Sequence, residues 1–480
     1  MTAQDPHPAP VDFSSPSQFG LRGRLISNTG LLGGARLAAA LMGVATLIIA
    51  AKALPNNAAF GTLLFIHAYM LFFSEIASFH IWQALIRFGS IEVKAKNARR
   101  LGALIKTGLL IDMASAVAAF IAAVLLFNVF LWAQSSMGLA SSFEAAVLPD
   151  GLSLKKLIIG YCSVILFRQI NVATGLFRLF DKFSILALRT LVMPMVRLFG
   201  VIIAAHQGWG LIGFVAIWFL ASLLSYLTLQ FFAIFELHKR GFWPIIRREK
   251  PCKPLDFPGF FSFVFKTNID TTINSVRSNF PSLAIMLAFG PAIVAIYRIA
   301  EEIARLLSRA VSLFDQVLFP ELSRMAVDMD FKTLSKTASK AALGIAAVGT
   351  FISAVMLLFG DNILKAAFNE SFTQAAPLSI LLLIASSLIG IATPFYTVFY
   401  VLMRPGTAIW VRLTGALIVI GLFFALSRSL GIFSIGWAAI AGAIIEVALV
   451  IVLTRNLIKK SKASSQNSEP PSSETPLGGA

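Results

Sequence analysis

The chain has 480 residues, 57% of them hydrophobic and 13% charged, with a mean hydropathy of +0.81, a balance that excludes an ordinary soluble protein. Its net charge is +17, but the Lys and Arg sit in short segments between apolar runs rather than on one polar surface. Nucleic acid is therefore set aside as a partner, and charge-directed membrane topology accounts for the basic excess.

Residues 1–29 are polar and Pro-rich, with Arg22 and Arg24 just before the first apolar run. A cleavable signal peptide places its basic residues and short apolar core nearer Met1, so the first helix is expected to remain as an anchor behind a cytoplasmic amino terminus. Windows of about 20 apolar residues place helices near 30–54, 61–86, 107–132, 157–177, 183–206 and 209–235, then 259–288, 292–318, 341–360, 374–401, 406–427 and 433–456. The predicted fold class is thus an all-α polytopic membrane protein with about 12 transmembrane helices.

The first outside turn, Pro55–Phe60, lacks Lys and Arg, whereas the next loop holds Arg87, Lys94, Lys96, Arg99, Arg100 and Lys106. Continued along the chain, this alternation puts 25 Lys/Arg inside, Arg455 at the end of its helix among them, against four outside (Lys155, Lys156, Lys365, Arg428), with the other eleven of the 40 inside helices. Both termini are expected in the cytoplasm. Residues 236–258 form a basic cytoplasmic linker that divides two six-helix lobes, 30–235 and 259–457. Each lobe opens with a long helix, a short outside turn containing a proline (Pro55, Pro291) and a second long helix, the pattern of a parallel repeat. Residues 458–480, Ser- and Pro-rich toward their end, read as a disordered cytoplasmic tail.

The stretch from Pro258 to Met325 carries an unusual load. Two membrane-length helices joined by a tight Phe289–Gly290–Pro291 turn hold Lys266, Asp270 and Arg277 on one side of the first, and Arg298, Glu301, Glu302, Arg305 and Arg309 as a stripe down the second. Seven acids fall within predicted helices: Glu75, Asp112, Asp270, Glu301, Glu302, Asp315 and Glu446. Eighteen intramembrane charges facing lipid would cost on the order of 50 kcal/mol. Most must pair, reach an interface or line water. Bases outnumber acids, which favours an anionic cargo.

Two readings stand side by side. Arg298 with Glu302 and Glu301 with Arg305 are spaced i, i+4 and can neutralise one another. Alternatively Arg277, Arg305 and Arg309 exceed the local acids, and an Arg fork suits a phosphate or pyrophosphate. Glu75 and Asp112 read as isolated acids in apolar surroundings, either coupling sites for a proton or sodium ion or simply buried hydrogen-bonded carboxyls. Lys52, Lys106 and Arg412 lie close enough to helix ends to snorkel. Pro194, Pro281 and Pro394 mark candidate bends. Two cysteines, Cys162 and Cys252, and five scattered His give neither a disulfide framework nor metal-ligand spacing. No nucleotide-binding loop or hydrolase motif is present. The reading is of a non-enzyme, without metal or cofactor.

Three stretches together resemble the polysaccharide-exporter branch of the multidrug/oligosaccharidyl-lipid/polysaccharide (MOP) superfamily, the Wzx-type O-antigen and exopolysaccharide repeat-unit flippases. They are Ala53–Ser90; Ala173–Ala204, with Phe177-Arg178-Leu179-Phe180-Asp181-Lys182-Phe183 at its core; and the charged stretch, where Thr267-Asn268-Ile269-Asp270, Gly290-Pro291, Ile296-Tyr297-Arg298 and Phe319-Pro320-Glu321-Leu322-Ser323-Arg324 match the family texture. The resemblance implies two lobes in a V, as in MATE transporters, with helices 1, 2, 7 and 8 lining a cavity. Arg36 and Glu75 would then face Arg277, Arg298, Arg305 and Arg309, and Lys266, Asn268 and Asp270 would join the substrate-binding set. It implies a sugar repeat unit on undecaprenyl pyrophosphate as substrate, membrane lipid around it, and a polymerase and chain-length regulator as partners.

Rival readings make different demands. A cation-coupled multidrug antiporter of the same fold would call for a net acidic cavity, and a membrane-embedded polymerase or glycosyltransferase for a large catalytic loop. The expected function is a flippase of lipid-linked oligosaccharide in a bacterial inner membrane. The topology is checked in intact cells with an impermeant thiol reagent: native Cys252 should stay unlabelled while Asn57→Cys is labelled.

Overall fold

The computed structural model describes residues 11–13, 21–136, 153–251, 257–327, 331–401 and 405–466. Cys252, residues 137–152 of the long outside loop and residues 467–480 lie outside the described residues. Among those described there are fifteen α-helices and no strand. They are α1 (Leu21–Ala53), α2 (Asn57–Ile76), α3 (Ile81–Lys94), α4 (Ala98–Ser136), α5 (Leu154–Cys162), α6 (Asn171–Leu179), α7 (Phe183–His206), α8 (Leu211–Lys239), α9 (Phe242–Arg248), α10 (Phe260–Phe289), α11 (Pro291–Val327), α12 (Phe331–Ala367), α13 (Ala375–Val401), α14 (Pro405–Leu430) and α15 (Phe433–Gln466).

Ten segments, counting α2 with α3 and α5 with α6 as one each, are long and apolar enough to cross a membrane. The two that complete the expected dozen are α10 and α11, of 30 and 37 residues. Both are long enough to span, at about 1.5 Å per residue, and both carry the charge load noted above. The tight turn between them is present: α10 ends at Phe289, Gly290 has φ +80°, and Pro291 opens α11. Glycine takes that left-handed backbone without strain, and proline at a helix start gives up no hydrogen bond.

The helix boundaries are finer than the apolar windows. Pro194, Pro281 and Pro394 lie inside the continuous helices α7, α10 and α13. The interruptions fall elsewhere, and neither has a proline: the second span breaks between Ile76 and Ile81, and the fourth breaks after Cys162 through a 3-10 turn (Ser163–Phe167) to Asn171. In addition, the linker contains the short helix α9, and α15 continues to Gln466, into the segment read as tail.

By compactness the chain divides into two units, Met1–Arg298 with Ile363–Thr373, and Ile299–Asn362 with Gln374–Ala480. In the first, α1 packs along α7, α7 on α8, α10 on α2, and α3 on α6. Gly61 of α2 sits against the Pro291 carbonyl, closer than any Cβ would allow, so that two backbones touch without a side chain between them. The 363–373 segment is tied to the same unit by Lys52 Nζ donating to the Ala366 carbonyl (3.3 Å) and by Phe60 edge-on to Phe372 (6.0 Å). In the second unit α13, α14 and α15 pack together. Buried Glu446 accepts from the Tyr396 hydroxyl (3.0 Å), and the Arg412 guanidinium covers the same Tyr396 ring at 4.7 Å.

Candidate functional site

A membrane helix that stops and restarts leaves carbonyls and N–H groups unsatisfied, and in an apolar medium each costs free energy unless a polar group takes it up. The first unit contains two such interruptions, and its buried polar side chains collect there. Asp112 of α4, 1% exposed, accepts from the Asn171 and Val172 backbone N–H groups at 3.0 Å each and from the Asn171 side chain at 2.8 Å. It thus caps α6 from another helix. Asn171 also donates to Ser78 (3.0 Å), in the other break. Arg168, in the second break, donates to the Ser74 carbonyl near the end of α2 (2.9 Å), pairs with Glu75 and lies close enough to Tyr226 to interact. Gln230 of α8 donates to the Phe167 carbonyl (2.5 Å). His80 Nε2 lies 3.7 Å from Glu75, and its Nδ1 lies 2.9 Å from Thr271 Oγ1 of α10.

Glu75 and Asp112 are therefore not isolated. Arg168 lies close enough to both to interact electrostatically, and the bonds that Asp112 makes are those of a structural cap.

A second cluster centres on Arg197 of α7. Its Nη2 donates to His67 Nε2 of α2 (3.0 Å), His67 Nδ1 meets the Tyr161 hydroxyl (2.8 Å), and the guanidinium stands 5.2 Å above the ring of buried Trp218. Arg298 is near enough to repel it. Arg197 has no carboxylate partner among the described residues. Arg168 and Arg197, and with them Arg189 of α7, which lies close enough to Glu75 and Arg168 to interact, are intramembrane bases that the sequence reading does not single out. The available signal was Arg189 and Arg197, eight residues apart on one half of α7.

The expected stripe on α11 is present but partly neutralised. Arg305 Nη2 meets Glu301 at 2.9 Å, as its spacing suggested, whereas Glu302 pairs at 2.7 Å with Arg309, two turns along, where the spacing had suggested Arg298. Arg277 and Arg298 are half-buried in the first unit, as is Asn268, whose Oδ1 is buried without a hydrogen-bond partner among the described residues. Arg36 is exposed on α1, close enough to Arg178 to interact. Lys266, Asp270 and Asp315 lie on α10 and α11, with side chains outside those described.

The Phe177–Phe183 stretch forms a corner. Arg178 covers the Trp82 ring at 4.0 Å, and Lys182 pairs with Glu236 at the end of α8. Glu236 also binds Arg240 (2.5 Å), which stacks on Phe180 at 4.0 Å and donates to the Asp12 carbonyl (3.1 Å).

A protein-family model described as polysaccharide biosynthesis protein matches residues 25–326, more than half of the chain. The chain belongs to that family. Among relatives of this family member, inner membrane protein YghQ of Escherichia coli (strain K12) is 24% identical over 354 residues, covering 73% of this chain and 94% of YghQ. Similar solved structures include an inward-facing MATE family transporter of the MOP superfamily (TM-score 0.68, 13% identity, 90% of this chain and 99% of that one). They also include lipid II flippase MurJ in an inward closed conformation (0.63, 15%, 88% and 87%). A third is a MOP superfamily transporter from Pyrococcus furiosus Vc1, described by reverse polarity of its binding pocket (0.60, 14%, 92% and 96%). This polysaccharide biosynthesis protein is thus a multi-pass membrane protein with the MOP fold.

The break network gives a stability test. Asp112→Ala should lower the melting temperature of purified protein, followed by tryptophan fluorescence, by an amount equivalent to about 2–4 kcal/mol, while Asp112→Asn, which keeps an acceptor, should lose less. Arg168→Gln should destabilise by about 3–5 kcal/mol, and Glu75→Gln with Arg168→Gln should regain most of that loss.

Proposed function

We propose that this chain is a flippase that moves an oligosaccharide repeat unit, carried on undecaprenyl pyrophosphate, from the cytoplasmic to the outer leaflet of a bacterial inner membrane by alternating access. The observation that carries the reading is Arg197, a cation with no carboxylate partner among the described residues, set among His67, Tyr161 and Trp218 and near Arg298, in a member of the polysaccharide biosynthesis family. An intramembrane guanidinium is expensive to bury unless an anion or an aqueous space receives it. A pyrophosphate offers such an anion, and the planar Arg fork fits its oxygens in pairs. MurJ, of the same fold, is a lipid II flippase, and YghQ is an inner membrane protein. Both support the reading.

In this proposal Arg197, Arg298 and Arg277 hold the pyrophosphate, with Asn268, Lys266 and Asp270 beside them on α10 and Arg36 on α1. Arg305 and Arg309 rank lower, because Glu301 and Glu302 already take up part of their charge. The 30–235 and 259–457 lobes would move about the 236–258 linker, with both termini cytoplasmic. A proton or sodium gradient supplies the energy, and a polymerase with its chain-length regulator takes the product.

The test compares surface polysaccharide with membrane protein level in a deletion strain carrying each variant. Arg197→Ala and Arg298→Ala should abolish export, and the Lys variants should recover part of it, since an ammonium keeps the charge and loses the fork. Arg305→Ala and Arg309→Ala should cost less. Full export in Arg197→Ala and Arg298→Ala at normal protein level would remove the assignment.

A further inference from the structure

In the second unit α11 and α12 part over α13 and leave a cavity of about 300 Å³, lined by Leu307, Ala310 and Phe314 on one side and by Lys340, Gly344 and Val348 on the other. That volume is the lower end of the range for a ligand pocket. Behind two of its lining residues α13 is pressed close at Gly390, where an added Cβ would meet Ile345 at 2.8 Å and Val311 at 3.3 Å. Beyond Phe314 the groove closes, because Leu318, Leu322, Leu334 and Ala338 join the buried core with α13. Phe314 and Val348 are exposed at about half their surface (47% and 50%) and Leu343, beside the groove, at 72%, so the cavity is open on its outer side. From Lys340 to Val348 the helix rises about 12 Å.

The end near Lys340 is basic. Lys336 and Lys340 are exposed and lie one turn apart on the same side of α12, and neither has a hydrogen-bond or ion-pair partner among the described residues. Like charges at i, i+4 repel weakly, and an anion seated against both relieves that repulsion. By the distribution of Lys and Arg this is the cytoplasmic end of α12. Basic pockets between membrane helices on that side receive lipid headgroups. Compact ammonium groups act as point charges on a phosphodiester, whereas a pyrophosphate favours the planar Arg fork.

We propose that this groove seats one anionic membrane phospholipid of the phosphatidylglycerol type, its phosphate against Lys336 and Lys340 and one acyl chain lying from Gly344 to Val348. The inference is independent of the cargo. It concerns a lipid of the surrounding bilayer that is bound by α11 and α12 of the second unit.

Native mass spectrometry of the full chain, released from mixed micelles with phosphatidylglycerol or phosphatidylethanolamine, tests it. The wild type should retain one phosphatidylglycerol in preference to phosphatidylethanolamine. The preference should fall about fivefold for each lysine removed in Lys336→Gln and Lys340→Gln, and persist in Lys340→Arg. Gly344→Phe should displace the lipid by filling the groove; no atom lies within 4 Å of a Cβ placed there, so the substitution has room to fold. Equal retention of the two lipids, or a preference unchanged by both Gln substitutions, would overturn the proposal. Displacement of phosphatidylglycerol by undecaprenyl phosphate would overturn it as well, by giving the groove to the carrier lipid.

Discussion

A backbone that leaves its helical hydrogen bonds inside a bilayer must find new ones, and that constraint organises the first unit. The second span stops at Ile76 and the fourth passes through a 3-10 turn before restarting at Asn171. Asp112 receives the first N–H groups of α6, Arg168 caps a carbonyl near the end of α2, and Gln230 takes one from the 3-10 turn. Asn171 and Ser78 join the two breaks directly. Four separate stretches of chain are thereby held by side chains that an apolar helix would otherwise exclude.

This use of polar groups decides which charges are spare. Glu75 is paired with Arg168 and lies close enough to Arg189 to interact, and Asp112 is occupied by a helix end. Glu301 and Glu302 are likewise engaged by Arg305 and Arg309. Arg197 meets imidazole, phenol and indole instead of carboxylate. An aromatic face and neutral hydrogen bonds stabilise a guanidinium without cancelling its charge, leaving it able to attract an anion. The same arithmetic makes an organic cation a poor cargo for this cluster.

Much of the fold was legible because hydropathy and length report directly on a membrane span. Even α10 and α11 were found from their length and the Gly290–Pro291 turn despite their charges. The breaks were not legible. Proline was the signal available, and Pro194, Pro281 and Pro394 sit in continuous helices, whereas Ala77–His80 and Arg168–Ile170 are interrupted without proline. What holds those breaks open comes from far along the chain: Asp112 and Asn171 are 59 residues apart, Glu75 and Arg168 93. Local spacing fails for the same reason within one helix, as when Glu302 chooses Arg309 over Arg298; two residues at i, i+4 are only able to meet, and a third at i+7 competes for the same oxygen. His67 and Arg197 escaped notice because nothing in sequence places α2 beside α7.

The family assignment places the chain in polysaccharide biosynthesis and the fold is that of the MOP superfamily; the proposed phosphate-bearing cargo rests on Arg197, which has no carboxylate partner among the described residues. The most direct measurement is leaflet transfer by the purified chain in sealed vesicles, using a fluorescent oligosaccharide on a polyprenyl pyrophosphate, with and without an imposed proton or sodium gradient. The account expects protein-dependent transfer that is accelerated by one of the gradients and strongly reduced in Arg197→Ala. Transfer no faster than in protein-free vesicles, under either gradient and with a full-length, folded chain, would contradict it.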